Sequence, residues 1–323
     1  MIHDTPSEDK IKGFEKGTRN NAKCMHKECF FERIKPDMNV FLNGAIVPDV
    51  QAVVSVYDHG FLYGDGVYET MRAYGGVVFM LERHIDRLAR SAALIRLKAP
   101  EAELLKDAIY QTLEANRLSD AYIRVTLARG KGPIGLDPEL CSEHTLVVIA
   151  EQFREYPGSC YEKGVRFIIA KTRRNLAGAI NPKIKSLNFL NNILAKIEAK
   201  DAGAYEAVML NAEGFLTEGT VCNFFFVSNG ILCTPSADAG ILDGITRELV
   251  IDIAERNGIK AGEGMFRPDD LLRASEVFLT NTTAEVMPVA RVDDVEFRVG
   301  EMTRTLHRLY RSEVAKYSRA GRK

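Results

Sequence analysis

No apolar run in the 323 residues approaches the roughly 18–20 needed to span a bilayer, so no membrane helix is expected. Net charge is nearly absent too: 43 Lys and Arg against 44 Asp and Glu leave −1. A nucleic-acid binder would usually carry a basic excess, so that class is set aside. The first residues, MIHDTPSEDK, lack the apolar core of a secretory signal. A cytoplasmic protein with no membrane or nucleic-acid partner is the expectation. The six cysteines (24, 29, 141, 160, 222 and 233) do not make a disulfide framework, which belongs to small secreted chains. Cys24, His26 and Cys29 cluster, but no second ligand pair follows at zinc-site spacing. His59, His84, His144 and His307 show no mutual spacing for a metal or a triad, so no metal is expected. Missing as well are G-x-S-x-G, the Walker A loop and G-x-G-x-x-G, which removes the nucleophile-elbow, P-loop and dinucleotide-binding signatures. No internal repeat or low-complexity segment is present.

What is there reads as a globular α+β protein, 46% hydrophobic and 27% charged. Its length exceeds one ordinary domain. Residues 1–37 are polar and aperiodic and read as a flexible extension. Residues 38–154 read as a smaller N-terminal domain, 155–162 as a linker around Tyr156-Pro157-Gly158, and 163–323 as a larger C-terminal domain. Asn43-Gly44 marks a turn after a first strand. Strands are expected at 51–57, at 67–79 around Gly75-Gly76, and at 120–128 and 144–151. Ile85, Leu88, Ala92 and Ile95 recur at helical spacing over 82–97, and a second helix is expected at 101–116. In the second half, strands are expected at 164–170, 205–210, 222–228, 275–280 and 286–291, and helices at 188–202, 245–257 and 301–317. The strands and helices do not alternate as in a doubly wound sheet.

Four segments contain residues suited to chemistry. Lys183 and Lys185 precede a helix start crowded by Ser186, Asn188, Asn191 and Asn192. A lysine becomes a nucleophile only when burial or a cationic neighbour keeps its amine neutral; two solvated lysines are the plainer reading. Glu218 sits at a Gly-flanked interruption of a strand, where a buried carboxylate needs a cationic or N–H partner; an exposed hairpin glutamate is equally open. Gly244 begins an amphipathic helix with Thr246 in its first turn, a setting that favours an anion, although many structural helices begin so. Thr280 to Thr283 form either an anion cradle or a polar turn.

Taken together, DHGFLYGDGVYET, HIDRL, KSLNFL, LTEGTVCNFF, GITRE and TNTTAE stand in the order of the fold-type IV pyridoxal-phosphate enzymes, the branched-chain and D-amino-acid aminotransferases, which the chain resembles. The resemblance covers Met38 to about residue 315. It implies the two-domain fold of that family and pyridoxal 5'-phosphate as cofactor. Lys185 then resembles the Schiff-base lysine that shuttles the substrate α-proton, and Glu218 the carboxylate paired with the pyridine nitrogen. Arg87 resembles the phosphate-binding arginine, with the N–H groups of Ile245 and Thr246 and Thr282 completing the cup. Leu242 would pack against the ring. A homodimer, with the active site at the domain interface and completed by partner loops, is also implied.

The substrate choice rests on fewer residues. Tyr122-Ile123-Arg124 resembles the branched-chain segment whose Tyr and Arg bind substrate carboxylates, so Arg124 is expected to take the second carboxylate of glutamate. Tyr68 and Thr283 are further substrate-binding candidates. The D-specific enzymes carry an R-x-H carboxylate trap, but Ile134 and Leu136 occupy those positions here. In the other direction, Tyr68-Glu69-Thr70 and Thr282-Thr283 look closer to the D-specific type, and Phe189 replaces a tyrosine usual in branched-chain enzymes. The expected reaction is ping-pong transfer between Leu, Ile or Val and 2-oxoglutarate, with D-amino-acid transamination and an aminodeoxychorismate lyase as alternatives. A cofactor-binding protein without turnover is the non-catalytic one.

Overall fold

Over residues 121–128, Ala121, Ile123, Val125 and Leu127 are fully buried while Tyr122, Arg124 and Thr126 are half-buried. A period of two with one covered face is what a half-buried strand requires. The computed structural model, which describes residues 38–321, builds a six-stranded antiparallel sheet around this segment. Its strands are β1 (Asn39–Leu42), β2 (Ala45–Pro48), β3 (Gly66–Tyr74), β4 (Val77–Val78), β5 (Ala121–Ala128) and β6 (Thr145–Gln152), in the spatial order β2-β1-β6-β5-β3-β4. Asn43 and Gly44 close the first hairpin with φ of +48° and +96°, the backbone that an Asn-Gly turn supplies at least cost. Short α1 (His59–Tyr63) precedes β3, and α2 (Leu81–Leu94) and α3 (Ala102–Ala115) cover one face. Leu81, Ile85, Leu88 and Ala92 pack α2 onto Val67, Met71 and the buried residues of β5. The expected extension 1–37, with Cys24, His26 and Cys29, lies outside the described residues.

The second sheet has nine strands: β7 (Val165–Ile169), β8 (Glu206–Leu210), β9 (Leu216–Gly219), β10 (Asn223–Ser228), β11 (Ile231–Pro235), β12 (Ala261–Gly264), β13 (Glu276–Asn281), β14 (Glu285–Val292) and β15 (Val295–Glu296). Their order is β12-β11-β10-β13-β14-β7-β8-β9, with β15 beside β14. Helices α4 (Gly158–Lys163), α5 (Leu190–Asp201), α6 (Ile245–Arg256), α7 (Pro268–Leu272) and α8 (Glu301–Ala320) complete the chain. Phe225 and Phe278 stack across β10 and β13, 5.0 Å apart, and join α6 and α8 in one apolar cluster. The fold is α+β, with helices and strands organised around two sheets. Among the described residues, no helix is long and apolar enough to cross a membrane.

Two expectations fail. Residues 51–57 form no strand; the chain runs past with Val53 74% and Val56 64% exposed. Valine-rich composition favours extended backbone, but a strand needs a ladder partner, and none is present among the described residues. The segment around Glu218 is not one interrupted strand either. β9 ends the sheet beside β8, whereas β10 lies between β11 and β13, so residues 220–222 carry the chain from one place to another.

One buried ion cluster joins the sheets. Glu285, the first residue of β14, is fully buried with φ of +58°. Its carboxylate accepts from Arg72 Nη1 (3.2 Å) and Tyr74 Oη (3.0 Å) on β3, and from Arg311 Nε (2.7 Å) on α8, with His307 Nε2 at 3.2 Å. Burial pushes its pKa up, but the hydrogen bonds from His307 and Arg311 and the charges of Arg311 and Arg72 outweigh it and hold the pKa at about 2. The cluster therefore contributes stability above the ordinary value of 4.5 and loses it as pH falls towards about 2. Glu285→Gln, which leaves Arg72 buried without that charge, is expected to cost about 3 kcal/mol in urea unfolding at pH 7. The gap to wild type is expected to close as the pH is lowered.

Candidate active site

The Lys185 segment is stitched to the start of β3. Tyr68 N–H donates to Lys185 O (2.9 Å) and Leu187 N–H to Gly66 O (2.9 Å), while Lys185 N–H reaches Ser91 Oγ on α2 (3.2 Å). Gly66 is required here: a Cβ would stand 2.7 Å from both Leu127 O and Leu187 Cδ1. The half-buried Lys185 places its Nζ 4.4 Å from the Tyr68 ring centroid. Burial, with Arg87 as a second cause, lowers its pKa from 10.5 to about 8. The plainer reading of a solvated lysine is therefore excluded. The asparagines crowding the helix start are bonded as well: Asn188 Nδ2 to Gly64 O, Asn191 Nδ2 to Arg173 O and Asn192 Nδ2 to Thr220 O.

Glu218 is buried on β9 and has the partners its position requires. Oε1 accepts from Arg174 Nε (3.0 Å) and Nη2 (2.8 Å); Oε2 accepts from Leu242 N (3.1 Å) and Asn223 Nδ2 (3.2 Å). Burial raises its pKa, opposed by the Arg174 charge and the Leu242 N–H. Arg174 escaped the sequence reading. It sits in a polar loop 44 residues before Glu218, where no spacing rule links the two. Asn223 also binds Leu242 O (3.1 Å) and abuts Gly244, whose added Cβ would fall 2.0 Å from Asn223 Oδ1. Only glycine lets α6 begin so close to Glu218.

At that helix start, Arg87 Nη1 donates to Asp243 O (2.9 Å), just before Ile245 and Thr246 in the first turn of α6. The other edge of Arg87 binds Glu69 on β3, through Nε (2.7 Å) and Nη2 (2.9 Å). Glu69 is a second residue whose part the sequence reading left out. Thr280 lies directly opposite Asn223 across β10 and β13, hence on the same face. Its buried hydroxyl has no hydrogen-bond partner among the described residues. Thr282 is half-buried in the following turn. Thr283 directs its N–H (3.0 Å) and hydroxyl (3.1 Å) to Asn281 Oδ1, shares the hydroxyl with Tyr156 (3.2 Å), and receives Arg72 Nη1 on its carbonyl (3.4 Å).

On the first sheet, Tyr68, Thr70 and Arg72 lie opposite Thr126, Arg124 and Tyr122, so these six side chains share one face. The Arg124 guanidinium lies 4.1 Å from the Tyr68 ring centroid. Among the described residues no carboxylate is within ion-pair distance of it. Phe189 meets the Tyr68 ring edge-on at 5.3 Å. The structure thus brings Lys185, Tyr68 and Arg124 together, joins Glu218 to Leu242, and sets Arg87 at the α6 start. The charges of Arg87, Glu69, Glu218 and Arg124 all act on Lys185.

The profile of the amino-transferase class IV family matches residues 66–292. The chain belongs to this family. Class IV aminotransferases of this fold use pyridoxal 5'-phosphate, and this is the cofactor of the enzyme. A Methanocaldococcus jannaschii protein provisionally named a branched-chain-amino-acid aminotransferase is 46% identical over 273 residues, covering 83% of this chain and 94% of the relative. The D-alanine aminotransferase of Bacillus licheniformis is 36% identical over 264 residues, 79% of this chain and 89% of its own. Among solved structures, the branched-chain aminotransferase of the thermophilic archaeon Thermoproteus uzoniensis with norvaline superimposes with a TM-score of 0.82 at 36% identity, covering 87% of this chain and 96% of that one.

The lowered pKa of Lys185 gives a stability signature. Between about 8 and 10.5 the unfolded lysine holds a proton that the folded one has lost, so folding gains stability as pH rises through that window. In urea titrations of the cofactor-free protein, wild type is expected to gain on Lys185→Met over this range. Parallel curves would refute the shift.

Proposed function

We propose that this class IV aminotransferase exchanges amino groups between branched-chain L-amino acids (Leu, Ile, Val) and 2-oxoglutarate in a ping-pong reaction. The observation that carries the reading is Arg124, a cation stacked on Tyr68 beside Lys185 with no carboxylate of its own among the described residues. A guanidinium left in that state suits the second carboxylate of glutamate. On the positions where the D-specific trap would need cations, Ile134 and Leu136 are 74% and 82% exposed and apolar. The Methanocaldococcus jannaschii and Thermoproteus uzoniensis relatives support the same substrate class.

The residues in place fit the cofactor. It needs an amine that loses its proton more readily than an ordinary lysine, a carboxylate for its ring nitrogen and an anion cradle for its phosphate. Lys185, Glu218 and the α6 start with the unsatisfied Thr280 hydroxyl match these needs. In this reading Lys185 would bond the cofactor, Glu218 would pair with its ring nitrogen and Leu242 would pack against the ring. Arg87, the N–H groups of Ile245 and Thr246, and Thr282 would hold the phosphate. When bound, the cofactor withdraws electrons from the substrate Cα. Lys185 Nζ takes the Cα proton, which a neutral amine of moderate pKa does well. Tyr68, Tyr122, Arg124 and Thr283 position the substrate carboxylates.

We further infer a homodimer. Leu190, Ile193, Leu194 and Ile197 recur along α5 at i, i+3, i+4 and i+7 and are all exposed, an apolar stripe of the kind that a partner covers. The division into residues 38–154 and 163–323, joined by 155–162, belongs to the same reading.

With 2-oxoglutarate as acceptor, L-leucine is expected to give L-glutamate and D-alanine none. Arg124→Met is expected to raise the KM for 2-oxoglutarate by about 10- to 100-fold, from one lost charge-assisted contact, and that for leucine far less. Turnover of D-alanine in place of L-leucine would overturn the substrate assignment. Silence with both donors would favour the lyase alternative.

A further inference from the structure

Glu69 is fully buried, on the face of β3 turned towards α2, and a lone carboxylate there would be costly. It is not alone. Arg87 and His84, three residues apart on α2 and therefore neighbours on its surface, both reach it. Oε1 accepts from Arg87 Nε (2.7 Å); Oε2 accepts from Arg87 Nη2 (2.9 Å) and Thr70 N (3.2 Å), with His84 Nδ1 at 2.7 Å. Burial lowers the His84 pKa against the pull of Glu69, and facing a carboxylate oxygen its Nδ1–H donates. Burial alone would raise the Glu69 pKa, but Arg87 and His84 outweigh it and hold the group well below the usual carboxylate range.

A guanidinium has five N–H groups in a rigid plane. Glu69 takes those of Nε and one of Nη2, and Asp243 O takes one of Nη1. One N–H on each terminal nitrogen remains, at a point fixed by two anchors. One anchor is a strand of the first sheet, and the other is the residue preceding the N-cap of α6. The α6 N-terminus favours an anion, and Thr280, whose buried hydroxyl is unsatisfied, pairs with Asn223, the residue that abuts Gly244. Freed from Glu69, the arginine would keep its charge and lose its direction.

We propose that Glu69, steadied by His84, is the positioning residue of the anion subsite: by occupying the Nε–Nη2 edge of Arg87 it presents the remaining N–H groups to the cofactor phosphate at the start of α6. This rests on the reading of Arg87 as a phosphate ligand. Glu69 itself touches neither phosphate nor substrate. It also offsets the charge of Arg87 at Lys185, where the two act in opposite directions.

The test compares pyridoxal 5'-phosphate with pyridoxal, which presents the same aldehyde to Lys185 but has no phosphate. Dissociation constants for both are measured on protein freed of cofactor, for wild type, Arg87→Met, Glu69→Gln, Glu69→Asp and His84→Asn, and melting temperatures show which variants are folded. Glu69→Gln is expected to weaken pyridoxal 5'-phosphate by about tenfold, the scale of one charge-assisted hydrogen bond, with pyridoxal unchanged. Glu69→Asp, which keeps the charge but shortens the reach, is expected to show the same selective loss, so the proposal stays testable if Glu69→Gln does not fold. His84→Asn is expected to show it more weakly. Equal losses for both ligands in the folded Glu69 variants would make the role merely structural and overturn the proposal, as would no loss. If Arg87→Met leaves the ratio of the two affinities unchanged, the phosphate role of Arg87 falls and this proposal with it. If Arg87→Met shifts that ratio and the Glu69 variants do not, only the Glu69 proposal falls.

Discussion

Everything in the site hangs on the backbone pairing of residues 185–187 with the first residues of β3. Tyr68 N–H to Lys185 O and Leu187 N–H to Gly66 O fasten a loop of the second half onto a strand of the first. The pairing needs the missing side chain of Gly66, because any Cβ would meet the lysine segment and β5 together. It also brings Lys185 over the Tyr68 ring, and partial burial there is the leading cause of its lowered pKa. A backbone contact thus sets the chemical character of a side chain.

Several charges are buried close together, and they are tolerable because nearly all are matched locally. Glu69 is held by Arg87 and His84, Glu218 by Arg174, and Glu285 by Arg72, Arg311 and His307. Opposite charges at contact in a low-dielectric interior offset desolvation only when hydrogen bonds complete the geometry, and here each carboxylate accepts several. Against that background Arg124 stands apart, stacked on an aromatic ring with no anion of its own among the described residues. Matched charges build the framework.

The sequence made Lys185 and Glu218 visible only through motifs whose order resembles a family; read alone, each had an ordinary explanation. Helices α2 and α3 and strands β3, β5 and β6 were legible to within three residues at their ends, since burial of one face writes itself into spacing. Arg174 was invisible because its partner lies across a loop whose path no local pattern encodes. Residues 51–57 misled because β-branched composition reports a preference and not a partner. An interruption was read at Glu218-Gly219, just ahead of the break at residues 220–222, and its meaning was missed, because a strand that pauses and a strand that moves to another place in the sheet look alike in one dimension.

The left-handed Glu285 has a consequence for how the protein is made. Its contact with Arg72 closes a span of 213 residues, and two further partners, His307 and Arg311, sit on α8, the last helix described. A ribosome therefore releases the first sheet long before it releases the Glu285 carboxylate that neutralises Arg72. Until then Arg72 has only the more exposed Glu155 for charge, and long-range closures of this kind are slow steps in folding. The first sheet is thus poorly suited to standing as an independent module, and its final packing awaits the end of synthesis.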